Sequence, residues 1–174
     1  VQTGAPTDLL DRTERLIEVE EARAWKRIAE YKLKLAGKRV LLITGGVKSW
    51  SVVAALQEGG MEIVGTSVKK STKEDKEKLK DILGDGADAH MIDDMTPREM
   101  YAMLRDARAD IMLSGGRSQF VALKARMPWL DINQERHHAY AGYEGMVDLV
   151  HEISRAIFNP VWQQVRIPAP WGEG

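Results

Sequence analysis

Two stretches of this 174-residue chain are built alike. One reads Leu42-Ile43-Thr44-Gly45-Gly46-Val47-Lys48-Ser49, the other Met112-Leu113-Ser114-Gly115-Gly116-Arg117-Ser118. Each runs from an apolar segment through a hydroxyl residue and a Gly-Gly pair to a basic residue and a serine. Glycines let a backbone turn sharply and let a ligand come close. A helix opening at the serine offers unpaired N–H groups and the positive end of its dipole. With Lys48 and Arg117 adding charge, these residue types suit the binding of an anion, with Gly45, Gly46, Lys48, Ser49 and Arg117 as candidate contacts. The plainer reading is that each Gly-Gly pair only makes a tight strand-to-helix turn. Neither stretch is the G-x-G-x-x-G pattern of dinucleotide sites or the Gly-Lys-Ser/Thr of phosphate loops, so an ordinary NAD or ATP site is not expected.

A third polar stretch is Asp131-Ile132-Asn133-Gln134-Glu135-Arg136-His137-His138. Asn133 and Gln134 are candidates to hydrogen-bond the same ligand. Asp131 and Glu135 suit that crevice or, equally, pairing with Arg136 or capping a helix. The adjacent histidines lack helical metal-ligand spacing, so a metal site is not expected of them. His90 and His151 read as structural or surface residues. Tyr140-Ala141-Gly142-Tyr143-Glu144-Gly145 is an aromatic turn suited to a crevice wall or to core packing. No Ser-His-Asp order and no carboxylate pair stands out, so no residue is assigned a catalytic role.

The elements that must position these residues follow from periodicity. Asp8 to Leu35 predicts a long charged helix with an apolar stripe of Ile17, Ala24, Ile28, Tyr31 and Leu35, stopped by Gly37. The stripe is narrow, so this helix is expected to lean on something else, such as a part of the parent protein missing here. Arg39 to Ile43 is a continuous apolar run, typical of a strand buried on both faces. Further strands are expected at Met61–Thr66, Ala89–Ile92, Asp110–Leu113 and Trp129–Ile132. Helices are expected through Trp50–Leu56, after a capping box at Ser71-Thr72-Lys73-Glu74, after a second box at Thr96-Pro97-Arg98-Glu99, at Arg117–Arg126 and at Gly145–Phe158. In the last of these, Met146, Leu149, Val150, Ile153 and Ile157 should face inward. Asn159-Pro160 should cap a short helix through Trp162, with an extended tail from Ile167 to Trp171. Strands alternating with helices imply an α/β fold, a three-layer, doubly wound parallel sheet of about four to five strands. In a strand order 3-2-1-4-5 the two Gly-Gly loops would leave neighbouring strands at one crevice. The chain divides into a helical segment at 1–36, the α/β domain at 37–158 and a short helix with a Pro/Trp tail at 159–174.

Composition narrows the functions. With 25 basic and 26 acidic residues the formal net charge is −1, unlike the basic excess of a general nucleic-acid binder. No apolar run approaches the ~20 residues of a membrane span, and the first residues lack signal-peptide character. The absence of cysteine excludes disulfides, thiolate metal ligands and cysteine nucleophiles within this chain, and fits a cytoplasmic location. A start at Val1 without Met reads as a piece of a longer protein.

Four segments carry a resemblance: Leu41 to Ser51, Lys69 to Thr72, Leu130 to Arg136 and Tyr140 to Met146, followed by Pro160-Val161-Trp162 and Pro168-Ala169-Pro170-Trp171. They resemble the C-terminal third of the NifE family of nitrogenase iron-molybdenum cofactor biosynthesis proteins, within the nitrogenase component 1-like group. The resemblance implies a Rossmann-like domain of a heterotetrameric scaffold formed with a NifN-type subunit. It implies that the scaffold receives an iron-sulfur cofactor precursor from a NifB-type donor. Molybdenum and homocitrate are then added through the Fe protein, and the product passes to apo-nitrogenase. Gly45, Gly46 and Lys48 match the Gly-Gly-x-basic loop that lies against the cofactor in that group. Asn133 falls near the position of a molybdenum-bound histidine in the catalytic α-subunit; an amide there implies a weaker hold and a cargo that can leave. The family's cluster-binding cysteines lie upstream of the matched region, so no cofactor is expected on this fragment alone. Two alternatives stand beside this reading: a domain of a catalytic nitrogenase-type α-subunit, and an interaction module that docks partner subunits.

Overall fold

The computed structural model describes residues 7–44, 49–133 and 139–168. Five parallel strands form one sheet in the order β3-β2-β1-β4-β5: β1 Arg39–Ile43, β2 Glu62–Ser67, β3 Met91–Ile92, β4 Ile111–Ser114 and β5 Trp129–Asp131. The helices are α1 Thr7–Leu35, α2 Ser49–Glu58, α3 Lys73–Leu83, α4 Ala87–His90, α5 Pro97–Asp106, α6 Gln119–Lys124, α7 Gly142–Ile157 and α8 Val161–Arg166. This is the three-layer α/β arrangement the alternating pattern implies. Val40, Leu42, Ile111 and Leu113 point to a core shared with α1, α2, α3 and α7, while Leu41 and Met112 point to a second core under α5 and α6. Two buried faces explain why β1 and β4 are apolar without alternation.

Several expected boundaries move, each for a local reason. Ala89 and His90 belong to α4, not to a strand, and β3 shrinks to two residues. It is an edge strand that pairs only with Thr66 and Ser67. The first capping box sits one residue later than expected. Thr72 accepts from the Asp75 N–H at 3.1 Å and Asp75 accepts from the Thr72 N–H at 3.0 Å. Ser71 is held back because its own N–H donates to Val68 O. The second box forms as read, with Pro97 in the first turn. The Arg117–Arg126 segment splits into a 3₁₀ turn, Gly116–Ser118, and α6. Helix α7 begins at Gly142, a turn earlier than expected. It buries Val147 and Ser154 along with Leu149, Val150 and Ile153, while Met146 and Ile157 are half-buried. Asn159 Oδ1 accepts from the Val161 N–H at 3.0 Å, and α8 continues beyond Trp162 to Arg166. Of the expected tail, Ala169-Pro170-Trp171 lies outside the described residues.

Helix α1 outruns its support. Its 29 residues span about 44 Å, against about 24 Å for the 16 residues of α7, on which it packs. Contacts begin near Ala24: Arg27 pairs with Glu144, and the Tyr31 and His151 rings meet at 5.6 Å. Ala24, Ile28 and Leu35 are buried as the stripe requires, but Ile17 is 45% exposed. Leu9, Leu10, Leu16 and Val19 are exposed beside it.

Ile28→Ala should lower stability by about 2–5 kcal/mol through the cavity it leaves, whereas Ile17→Ala should cost about 0.5 kcal/mol or less, both read by urea unfolding. Similar losses would contradict the packing described. The Glu99 carboxylate is held below its usual range by the Thr96 backbone N–H first and then by the Thr96 hydroxyl. A depressed folded pKa stabilises above the ordinary carboxylate range of about pH 4, and that stability is lost as pH falls through the lower folded value. The melting temperature should therefore fall more steeply on acidification than in Glu99→Gln; parallel profiles would contradict the capping box.

Candidate functional site

The carboxyl edge of the sheet is set by its register. Ile43 pairs with Ser114 and Ser114 with Asp131, so the segments after β1, β4 and β5 start from one row. After β1 the chain enters α2 on one face of the sheet; after β4 it enters α6 on the other. That divergence is a switch point, where α/β sheets open a crevice. The edge therefore gathers three of the candidate residues: Ser49, Arg117 and Asn133. The other candidates, Gly45, Gly46, Lys48 and Gln134, lie outside the described residues, as do Glu135, Arg136, His137 and His138.

Ser49 is buried at the start of α2. Its hydroxyl donates to Ser67 O at 3.0 Å and lies 2.7 Å from Thr44 Oγ1. A hydroxyl has one proton to give. Because Ser49 spends its proton on Ser67, Thr44 is the donor in that pair. This chain of bonds ties the end of β1 to the first turn of α2 and to the end of β2. Ser114 plays the matching part on β4: buried, it accepts from Trp129 Nε1 at 2.7 Å. Both hydroxyls that the sequence placed beside the Gly-Gly pairs are thus engaged within the protein.

Arg117 is exposed in the 3₁₀ turn and forms no ion pair with a described residue. Two other basic residues near this edge are paired. Lys69 pairs with Asp94 at 2.6 Å and Lys76 with Asp93 at 2.8 Å. The Lys69 ammonium leads the interactions that lower the Asp94 pKa, with the Met95 N–H contributing. Asn133 is exposed, and its N–H donates to Asp131 Oδ1 at 2.9 Å, which fixes the turn after β5. Among the described residues no group of three or more His, Cys, Asp or Glu side chains is arranged to hold a metal ion.

Beside this edge lies a cavity of about 500 Å³, walled by Ser51, Val52 and Ala55 of α2, Ile132 after β5, the Ala139–Gly142 segment, and Met146 and Leu149 of α7. The aromatic turn thus does line a wall, with Tyr140 in it. Burial first, then the charges of Glu152, Asp148 and Asp131, raise the Tyr140 pKa above the ordinary phenol value. The turn can lie against α7 because Gly145 has no side chain; a Cβ there would sit 2.7 Å from Ala139 O. The α2 side of the cavity was not legible in the sequence, since Ser51, Val52 and Ala55 meet the turn only through the fold.

The described edge combines an exposed cation, an amide and the start of a ten-residue helix, with an apolar cavity alongside. Such groups can hold an anionic ligand by charge and hydrogen bonds. They supply no nucleophile and no thiolate.

The chain is similar to NifE, a nitrogenase iron-molybdenum cofactor biosynthesis protein, of Bradyrhizobium diazoefficiens: 68% identical over 171 residues, covering 98% of this chain and 31% of that protein. It is 64% identical to the NifE of Sinorhizobium fredii over 98% of this chain and 34% of that protein, and 45% identical to that of Klebsiella pneumoniae over 94% and 35%. The chain thus spans about a third of the length of these curated relatives. Among solved structures it is similar to nitrogenase Cp1 at pH 5, with a TM-score of 0.77 at 23% identity over 95% of this chain and 39% of that one, a likeness of fold. Residues 7–158 match the family model described as nitrogenase component 1 type oxidoreductase, and the chain belongs to that family.

Proposed function

We propose that this chain is one part of a scaffold on which the iron-molybdenum cofactor of nitrogenase matures, and that its sheet edge forms one wall of the site holding an iron-sulfur precursor as cargo. The observation that carries the reading is 45–68% identity, across nearly the whole chain, to proteins named for that biosynthesis. The edge is chemically suited to such cargo. An iron-sulfur cluster with an organic acid is anionic, and Arg117, Lys48 and the start of α2 are complementary to it. In this reading Gly45 and Gly46 allow close approach, Asn133 and Gln134 offer amide hydrogen bonds, and Ser49 holds the first turn of α2 in place. With no cysteine in the chain, the thiolate anchor comes from elsewhere in the longer protein.

The same reading supplies the partners: a NifN-type subunit in a heterotetramer, a NifB-type donor of the precursor, the Fe protein, and apo-nitrogenase as acceptor, all in the cytoplasm. Among the described residues no helix is long and apolar enough to cross a membrane. A catalytic nitrogenase-type subunit is disfavoured by Asn133, because a carboxamide is a weaker metal ligand than the histidine found near that position in catalytic subunits. A docking role is favoured by a separate observation, the exposed Leu9, Leu10, Leu16, Ile17 and Val19 on α1. It is compatible with the scaffold reading.

In the full-length parent complex, Lys48→Glu should lower the iron retained by about tenfold or more, as expected for loss of a charge-assisted bond of about 1.5–3 kcal/mol with added repulsion. Gly45→Val should lower it as well. Wild-type iron content in both variants, with the complex intact by size-exclusion chromatography, would contradict the wall assignment. Loss of assembly with normal loading in Leu16→Asp would assign α1 to docking alone.

A further inference from the structure

The two Gly-Gly pairs look equivalent in sequence, yet Gly115 has a specific neighbour. Its backbone is extended, with φ −80° and ψ 162°, a conformation open to any residue. The turn therefore does not require glycine. What occupies the space beside it is the end of a side chain: a Cβ on Gly115 would lie 2.8 Å from Asn133 Nδ2 and 3.6 Å from Asn133 Cγ. The surroundings of this contact are fixed. The Ile132 N–H donates to Ser114 O at 3.1 Å, which carries the β4–β5 ladder one residue past the strands. Trp129 Nε1 anchors Ser114, and Asp131 Oδ1 holds the Asn133 N–H. Asp131 Oδ2 would in turn be 3.4 Å from a Cβ on Gly116, at the edge of ordinary contact.

We infer that Gly115 is a positioning residue, whose bare α-carbon leaves the space in which the Asn133 carboxamide stands at the cargo wall. This rests on the scaffold reading above and deepens it. The Gly115-Gly116 loop then does not cradle the anion with its backbone. It is the floor beneath the turn that presents the amide. Asn133 is exposed, so a methyl group at position 115 meets only the free end of a side chain that can swing away. The substitution displaces the amide and leaves the sheet intact, which separates positioning from structural support.

The test uses the full-length parent complex purified without oxygen with its iron-sulfur cargo, in the variants Gly115→Ala, Asn133→Ala and the two combined. Iron per complex and the electron paramagnetic resonance spectrum are the readouts, with melting temperature as the check on folding. Gly115→Ala should leave the melting temperature unchanged, lower iron retention to the level of Asn133→Ala, and shift the spectrum the same way. The double variant should be no worse than Asn133→Ala alone. Wild-type retention in Gly115→Ala beside a loss in Asn133→Ala overturns the inference while leaving the wall reading in place, and so do losses that add in the double variant. Wild-type retention in both Asn133→Ala and Lys48→Glu overturns the inference together with that reading.

Discussion

Strand β1 lies beside β4 in parallel register, from Val40↔Ile111 to Ile43↔Ser114, and the connections leaving these two strands depart to opposite faces of the sheet. Every feature of the candidate site depends on that pairing. It requires both strands to be buried on both faces, which is why Leu41, Leu42, Met112 and Leu113 are all apolar and fully buried. It also forces the chain apart at the carboxyl edge, since α2 and α6 cannot occupy the same layer. A one-residue slip would exchange the faces of every side chain in β1 and move Thr44 and Ser49 away from Ser67.

The polar groups nearest the strands serve this frame rather than a ligand. Thr44, Ser49 and Ser67 lock the start of α2 against the sheet, and Trp129 with Ser114 does the same between β4 and β5. Satisfying buried hydroxyls inside the protein avoids the desolvation cost of leaving them unpaired. Among the described residues of the β4 and β5 turns, a cation, Arg117, and an amide, Asn133, remain outward. A frame braced in this way, with a few outward polar groups, suits the proposed role of holding a cargo and then giving it up.

The long, two-sided strands and the helix stops were legible in the sequence because their signals are local. The apolar run Arg39–Ile43 matches β1 to the residue, and Gly37, with φ +73°, follows the end of α1. Short or competing signals were harder. Ser71 and Thr72 each have an acid three residues on, so two capping boxes overlap, and the Ser71 N–H, bonded to Val68 O in a turn outside any local helix signal, is not free to complete the first. At the β3 edge Ala89 and His90 close the helical turn α4 instead, leaving two residues to pair with β2. At the site, the resemblance of the two Gly-Gly pairs was visible but their difference was not. Ser49 is engaged by Ser67 on β2, and Gly115 answers to Asn133 beyond β5, contacts that no local window contains. The exposed half of α1 was legible only as a narrow stripe, since length beyond a partner helix is a property of the fold.

The central claim is that the carboxyl edge around β1 and β4 faces the cargo. It is tested most directly by cryo-electron microscopy of the full-length parent complex carrying its iron-sulfur precursor. The account predicts cluster density against the Gly45–Lys48 segment and the turn bearing Asn133, with Arg117 directed toward its anionic groups. Cluster density bound elsewhere in the complex, with protein side chains filling this crevice instead, would contradict it.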